Sequence, residues 1–457
     1  MGGLTRDLGG FVAALKLQDV PPRGAEIARA GIADCFGVMV AGARDPEIAL
    51  VDRELGYDGE PSAPLIPSGR RRSIETAALV NGVAAHVLDY DDVTLDGHPS
   101  AVLVPAILAQ AHASGSSGAE ILAAYIAGYE VWAELLAREP TPLHDKGWHP
   151  TTVRGTVAAA AACAKLRRLD ASTTATAMAI SASMASGLVA NFGTMTKSFQ
   201  VGRAAQSGLI AARLAAAGLT ASLDALEHPS GYLAAFSPQG KAERDQPFVA
   251  ARKEWHIVRQ GLNIKRFPIC YATHRCIDAA LDLVERYDLA PDRVERIHVS
   301  TGRMQMLMLR NHRPQTGLEA KFSMEYAVSI LLIEGKAGLE QFSDAVVQRP
   351  DVQAMIARSR FFVDPERNQS GRTLQTTLLE GNVIRIHMRD GRVITGKSTF
   401  AKGSPKNPMS YDEVADKFRG NAEFAKWPKQ KAESVIAMVK SLESVPDMRK
   451  LTVALTG

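Results

Sequence analysis

The chain has 457 residues, more than one small core holds, which predicts two or three domains. Its 53 Lys and Arg nearly balance 49 Asp and Glu, and no basic block interleaves with aromatics, so nucleic acid is not an expected partner. Four cysteines make no disulfide framework at this length, no apolar signal core opens the chain, and no run approaches about 18 apolar residues; the expectation is a cytoplasmic protein with no membrane contact.

Apolar residues recur with helical spacing over 25–43, 74–90, 100–114, 118–137, 153–167, 171–188 and 203–217. Several of these runs are apolar all round and rich in Ala and Gly, which predicts a compact multi-helix core with closely approaching backbones. Ser117 and Asp170 stand where N-caps belong. Near residue 260 the character changes. A helix is expected at 272–287, residues 293–302 alternate like a half-buried strand, a second helix follows at 322–334, and 381–400 read as a hairpin around Asp390-Gly391, a dipeptide that favours a tight primed turn. Helical spacing returns at 410–420 and 427–444. The fold class is therefore mainly α: a large all-helical domain over 1–264, a smaller α+β domain over 265–403, and closing helices over 404–457 that return to the first domain.

Chemistry concentrates in a few places. Asp89, Asp91 and Asp92 crowd the end of one apolar run, with His86 on the face shared by Asp89 and Asp92. Such a cluster caps helices or pairs with Arg, or binds a divalent metal, or orients a histidine and holds polar substrate groups. No second acidic cluster of similar density supports the metal reading. His98 and His149 each precede proline in a Gly-containing loop at a helix start, where an imidazole can exchange protons near neutral pH and the helix end favours anions. Lys197 lies in a polar, Gly-bounded segment between two apolar helices, either as a solvated charge or as an anchor for a carboxylate. Lys265-Arg266 opens the second region and His274 begins its first helix; Tyr326 heads another helix, where ordinary packing is the plain alternative. There is no dinucleotide fingerprint, nucleophile elbow or zinc-hydrolase motif.

In this order the segments HVLDYDD (86–92), GHPS (97–100), GWHPT (147–151), GTMTKSFQVGRAAQSG (193–208), KRFPICYATH (265–274), AKFSMEY (320–326) and GSPKNPM (403–409) resemble the MmgE/PrpD family across nearly the whole chain. The resemblance implies an all-helical domain with an α+β lid, a homodimer, and a site between domains that needs neither cofactor nor metal. It places Asp89, His98, His149, Lys197 and Tyr326 on the family's catalytic motifs, with Asp92, Lys265, His274 and Gln200 as substrate-binding neighbours. Two positions depart from the family pattern: Val93 replaces a common Thr, and Gln200 stands where His is common, which keeps hydrogen bonding but removes proton transfer.

The implied function is a lyase that removes a proton beside a carboxylate of a small di- or tricarboxylate. A 2-methylcitrate dehydratase-like hydro-lyase comes first, then an iminodisuccinate epimerase-like isomerase, then a cis-aconitate decarboxylase-like enzyme. A non-catalytic helical scaffold is the remaining class. In the dehydratase scheme Lys197, with Lys265, neutralises developing charge, one histidine is base, the other or Tyr326 is acid, and Asp89 orients.

Overall fold

The computed structural model describes residues 3–56, 62–248, 254–287, 289–363 and 383–457. The chain divides into two compact units, Met1–Asn263 with Ser410–Gly457, and Ile264–Met409. It is mainly helical, with a small mixed sheet in the second unit.

The first unit is built from α1 (Leu4–Ala14), α2 (Pro22–Gly42), α3 (Pro46–Leu55), α4 (Ile74–His86), α5 (Pro99–Ser114), α6 (Gly118–Arg138), α7 (Pro150–Leu166), α8 (Ala171–Ala182) and α9 (Thr196–Ala216). Local chemistry sets the helix starts. Ser73 accepts from the Thr76 amide, Ser117 and Glu120 form a capping box, Asp170 accepts from the Thr173 amide, and prolines open α5 and α7. Helices Tyr232–Phe236, His256–Gln260, Tyr411–Phe424, Lys429–Lys440 and Met448–Ala454 also belong to this unit, and a two-residue antiparallel pair, Ala63–Pro64 with Arg71–Arg72, is the exception to its expected all-helical make-up.

Small residues bring the helix ends together. A Cβ on Gly82 of α4 would stand 2.7 Å from the Gly202 Cα of α9, and one on Gly208 of α9 would stand 2.7 Å from the Ala160 amide of α7. Helix α9 is thereby wedged between α4 and α7 at backbone distance. That wedge carries the first turn of α9 to the end of α4 and the start of α7.

The second unit holds a four-stranded sheet in the order Ser359–Val363, Val294–Thr301, Val383–Met388, Val393–Lys397, with the first pair parallel and the others antiparallel. Ile297, Val299, Ile384, Ile386 and Ile394 alternate onto one face and share a core with Ile277, Ala280 and Leu283 of helix His274–Tyr287 and with Leu331 of helix Met324–Glu334. The Asp390-Gly391 turn differs from the expected primed type. Gly391 donates to the Met388 carbonyl and Met388 to that of Arg392, and Gly391 alone has positive φ (87°). This is a three-residue loop, a type I turn closed by a left-handed glycine. The first two residues of the expected hairpin, 381–382, lie outside the described residues.

Candidate functional site

The first unit gathers its ionisable side chains where α4 ends and α5, α7 and α9 begin. Helix α4 stops at His86, and Asp89 then takes a left-handed conformation (φ 51°), which Asp tolerates better than most residues. The turn ahead of α5 has Leu95 and Asp96 both at positive φ, closed by reciprocal Thr94–Gly97 backbone bonds of 2.9 Å. The Trp132 indole donates to the Leu95 carbonyl (3.0 Å) and Arg154 binds Asp96 (3.1 Å). A Cβ on Gly97 would stand 2.8 Å from the Trp132 ring, so glycine is required where the turn hands over to His98.

The three histidines lie side by side. The His86 ring centroid is 4.6 Å from that of His98 and 6.4 Å from that of His149. Asp91 lies under the first two. Its carboxylate oxygens accept from His86 Nδ1 at 3.0 and 3.1 Å, and Oδ2 lies 2.9 Å from His98 Nδ1. The same His98 nitrogen is 2.9 Å from the Asp92 carbonyl. Burial alone would raise Asp91, but the two imidazoles hold its carboxyl far below the usual range. Burial lowers His86 to about 4 against the pull of Asp91, so His86 is neutral at pH 7.

His149 caps the start of α7 and is seated by the loop before α9. Its amide donates to the Gly187 carbonyl (3.0 Å), and Gly187 has φ 119° in a space where a Cβ would stand 2.9 Å from Gln200 Oε1. Gln200 Nε2 donates to the Leu188 carbonyl at 3.2 Å, which fixes the amide so that Oε1 faces His149 Nδ1 at 2.9 Å. His149 therefore carries its proton on Nδ1 and keeps the Nε2 lone pair. Burial, with His86 and Lys197 nearby, holds its pKa well below the ordinary histidine value.

Lys197, in the first turn of α9, donates to Asp89 Oδ1 at 2.6 Å, with both side chains largely buried. Its Nζ lies 5.6 Å from the centre of the Phe192 ring, whose edge-to-face partner at 4.8 Å is His149. The arrangement offers two imidazoles with fixed tautomers, one ammonium group and the positive ends of three helices to an anion.

The family models agree across both units: the MmgE/PrpD N-terminal domain matches residues 6–245 and the MmgE/PrpD C-terminal domain matches residues 267–444. The chain belongs to the MmgE/PrpD family. Relatives include human cis-aconitate decarboxylase, 31% identical over 83% of this chain and 79% of the human protein. The mouse protein of that name is 31% identical over 83% of this chain and 78% of its own length. An Aspergillus terreus protein of the same name is 26% identical over 91% and 89% of the two chains.

Within this MmgE/PrpD chain, His98, His149, Lys197, Asp89 and Gln200 share one neighbourhood in the first unit. Asp92 lies behind it. Its oxygens accept from the Ser100 amide (3.3 Å) and hydroxyl, the Ser100 hydroxyl meets Tyr125 OH at 2.7 Å, and burial pushes the carboxyl up to about 8. This geometry gives Asp92 the work of holding the start of α5 in place of the expected substrate contact.

The remaining three expected residues belong to the second unit. Tyr326 is buried there; its hydroxyl donates to the Gln341 carbonyl and its ring packs on Phe342 at 5.4 Å, so the expected acid is engaged in its own core. His274 is buried between Phe267 and Tyr271, with Nε2 3.3 Å from the Ile269 carbonyl, and Lys265 is buried as well. His86 and Asp91 belong to the acidic cluster of the sequence, with orientation of a histidine as one of its readings, but neither is among the expected catalytic or substrate-binding residues. Two signals stood in the chain: a histidine closing an otherwise apolar helix, and a third carboxylate on the opposite face from Asp89 and Asp92.

Proposed function

We propose that this chain is a lyase acting on a small tricarboxylate, and that it removes carbon dioxide from a cis-aconitate-type substrate. The sequence alone put dehydration first; the human, mouse and fungal relatives named as decarboxylases support the reversed order. The observation that carries the reading is the meeting of His98, His149 and Lys197 in one unit, with both Nδ1 atoms committed to protein acceptors.

Loss of carbon dioxide leaves the electron pair of the broken C–C bond on the substrate, where it spreads into the neighbouring double bond and carboxylate. Lys197, held by Asp89, faces that charge with its ammonium group. A proton must then return to carbon, and an imidazolium at His98 supplies it. The balance is substrate plus one proton giving product plus carbon dioxide. His149 stays neutral and accepts a hydrogen bond at Nε2 from a substrate hydroxyl or carboxyl group. No proton step is assigned to Tyr326.

Dehydration is the second reading, favoured by the pair of histidines: His149 Nε2 as base and His98 as acid make a matched set for removing water. Incubation with cis-aconitate, 2-methylcitrate and related acids separates the two. Decarboxylation gives gas and an unsaturated dicarboxylate in equal amounts; dehydration gives an unsaturated acid from a hydroxy acid and no gas. Deuterium uptake without net conversion marks an epimerase, and no reaction across the panel removes the enzyme reading. The same reading carries a cytoplasmic homodimer, checked by fractionation and light scattering.

A further inference from the structure

We propose that Asp91 is a positioning residue serving two imidazoles at once: it holds a proton on His98 Nδ1, so that Nε2 is the nitrogen left to exchange a proton with the substrate, and His86 clamps it in that duty. The inference rests on the proposed reading for its kinetic consequence, though not for its tautomers. Asp91 is buried, and an ionised carboxylate with nothing to accept from would be costly there. It survives because two N–H groups reach it, from His86 at 3.0 and 3.1 Å and from His98 at 2.9 Å. Each of these nitrogens must carry its proton to bond a carboxylate that has none. The Asp92 carbonyl, also 2.9 Å from His98 Nδ1, is a pure acceptor and demands the same tautomer.

His86 makes the arrangement unusual for a structural one. Its side chain is fully buried, and its Nε2 has no hydrogen-bond partner among the described residues. A histidine kept only for packing would be better replaced by an apolar residue, because the unpaired buried nitrogen is a standing cost. What His86 supplies in return is a second donor across both Asp91 oxygens, which fixes the plane of the carboxylate. With that plane fixed, Oδ2 meets His98 in line and its negative charge stands behind the imidazolium that forms when His98 takes a proton. Local rules broken at one place, with a gain of this kind beside them, mark functional rather than architectural residues.

The test uses the full chain with ¹⁵N-labelled histidine rings. Resonances are assigned by their loss in His86→Gln and His98→Gln. In the wild type, His86 and His98 both show Nδ1 of the protonated type, and His86 shows Nε2 of the bare type. In His86→Gln the glutamine amide replaces the lost donor to Asp91, and the His98 signature is retained. In Asp91→Asn, His98 loses its single tautomer and kcat falls about 10³–10⁴-fold with KM changed far less, the size of effect seen when the carboxylate behind a catalytic histidine becomes an amide. A wild-type His98 protonated on Nε2 and bare on Nδ1 overturns the proposal before any variant is made, so a variant that fails to fold does not shield it. A wild-type spectrum as stated, with no turnover of any polycarboxylate, leaves this inference standing and removes the proposed reaction. Turnover with the wrong tautomer does the reverse.

Discussion

Asp91 and Asp92 are adjacent in sequence, both fully buried, and end in opposite states. Asp91 meets two imidazole N–H groups and stays ionised; Asp92 meets one serine hydroxyl and one amide, with Asp34 and Asp91 as unfavourable neighbours, and is pushed up to about 8. The same side chain thus serves a charged cluster at the helix ends and a neutral hydrogen-bonded plug one residue later. What separates them is the number and charge of the donors each one reaches, since the burial is shared. On the reading proposed above, the chemistry belongs to the Asp91 side and the architecture to the Asp92 side.

The largest effect that can break this division comes from the charged side. Lys197→Ala and His149→Ala are each expected to lower kcat/KM by at least about 100-fold, the usual scale of electrostatic and acid–base contributions. Lys197→Ala has a second consequence, because Asp89 loses its 2.6 Å ammonium partner, which lowers stability as well as activity. Steady-state kinetics with a thermal melt separates the two losses. Near-wild-type kinetics in both variants moves the site elsewhere.

Much of this was legible in the chain, and the two misplaced helix ends share a cause. Helices α5 and α6 were read to within a residue because their apolar pattern is driven by a core on all sides. Helix α9 was expected from 203 but begins at Thr196, and α4 was expected to reach 90 but ends at His86. In both places the unread or overread residues face the polar cluster, where Lys197, Gln200 and Asp89 replace the apolar spacing that periodicity detects. The strand Ser359–Val363 was missed because five residues with no turn signal ahead of them carry too little pattern, and its partner, the parallel strand Val294–Thr301, is far away in sequence. The roles of His86 and Asp91 needed a three-dimensional fact, two imidazoles on one carboxylate, that no spacing encodes.

A sharper test of the charged side is Gln200→Glu. The glutamine is neutral and fixes the His149 tautomer without adding charge. A carboxylate in its place would stabilise the His149 imidazolium and raise a pKa that burial now holds well below the ordinary value. His149 must be unprotonated at Nε2 to accept from the substrate, so the acidic limb of the kcat/KM profile is expected to move to higher pH, by about 1–3 units for a carboxylate at this range. An unmoved limb in a folded variant means that His149 is not the group being titrated.

Asp92→Asn probes the neutral side, with a smaller effect that appears in stability. The folded carboxyl keeps its proton up to about 8, whereas the unfolded one releases it near the ordinary 3.8. Between those limits the folded state binds more protons, so this group's contribution is fully present below about pH 4 and is lost as pH rises towards 8. Asparagine imitates the protonated form: its oxygen can accept from the Ser100 amide and its NH₂ can donate to the Ser100 hydroxyl, which then turns to Tyr125. Urea midpoints at several pH values are expected to fall less steeply for Asp92→Asn than for the wild type. Glu47 and Glu130, each raised to about 7 by burial, add slope of the same sign, so the difference between the two proteins is the quantity that isolates Asp92. Identical slopes would make Asp92 an ordinary ionised carboxylate and dissolve the contrast with Asp91.

The smallest expected effect is none at all. His86, Asp91 and His98 hold donor atoms within 4.8 Å of one another, close enough to ask whether a divalent ion binds there. Their separations of 2.9 to 3.1 Å are those of charge-assisted hydrogen bonds, and both imidazole nitrogens in the group are Nδ1 atoms whose protons Asp91 already accepts. An ion would need both nitrogens stripped of those protons and all the donors drawn to about 2.0–2.2 Å from one point. Either change would give up the proton that Asp91 holds on His98 Nδ1. Prolonged treatment with EDTA is therefore expected to leave activity unchanged. A loss restored by zinc or magnesium would turn Asp91 from a hydrogen-bonding anchor into a metal ligand, and the difference between the two aspartates would become one of coordination.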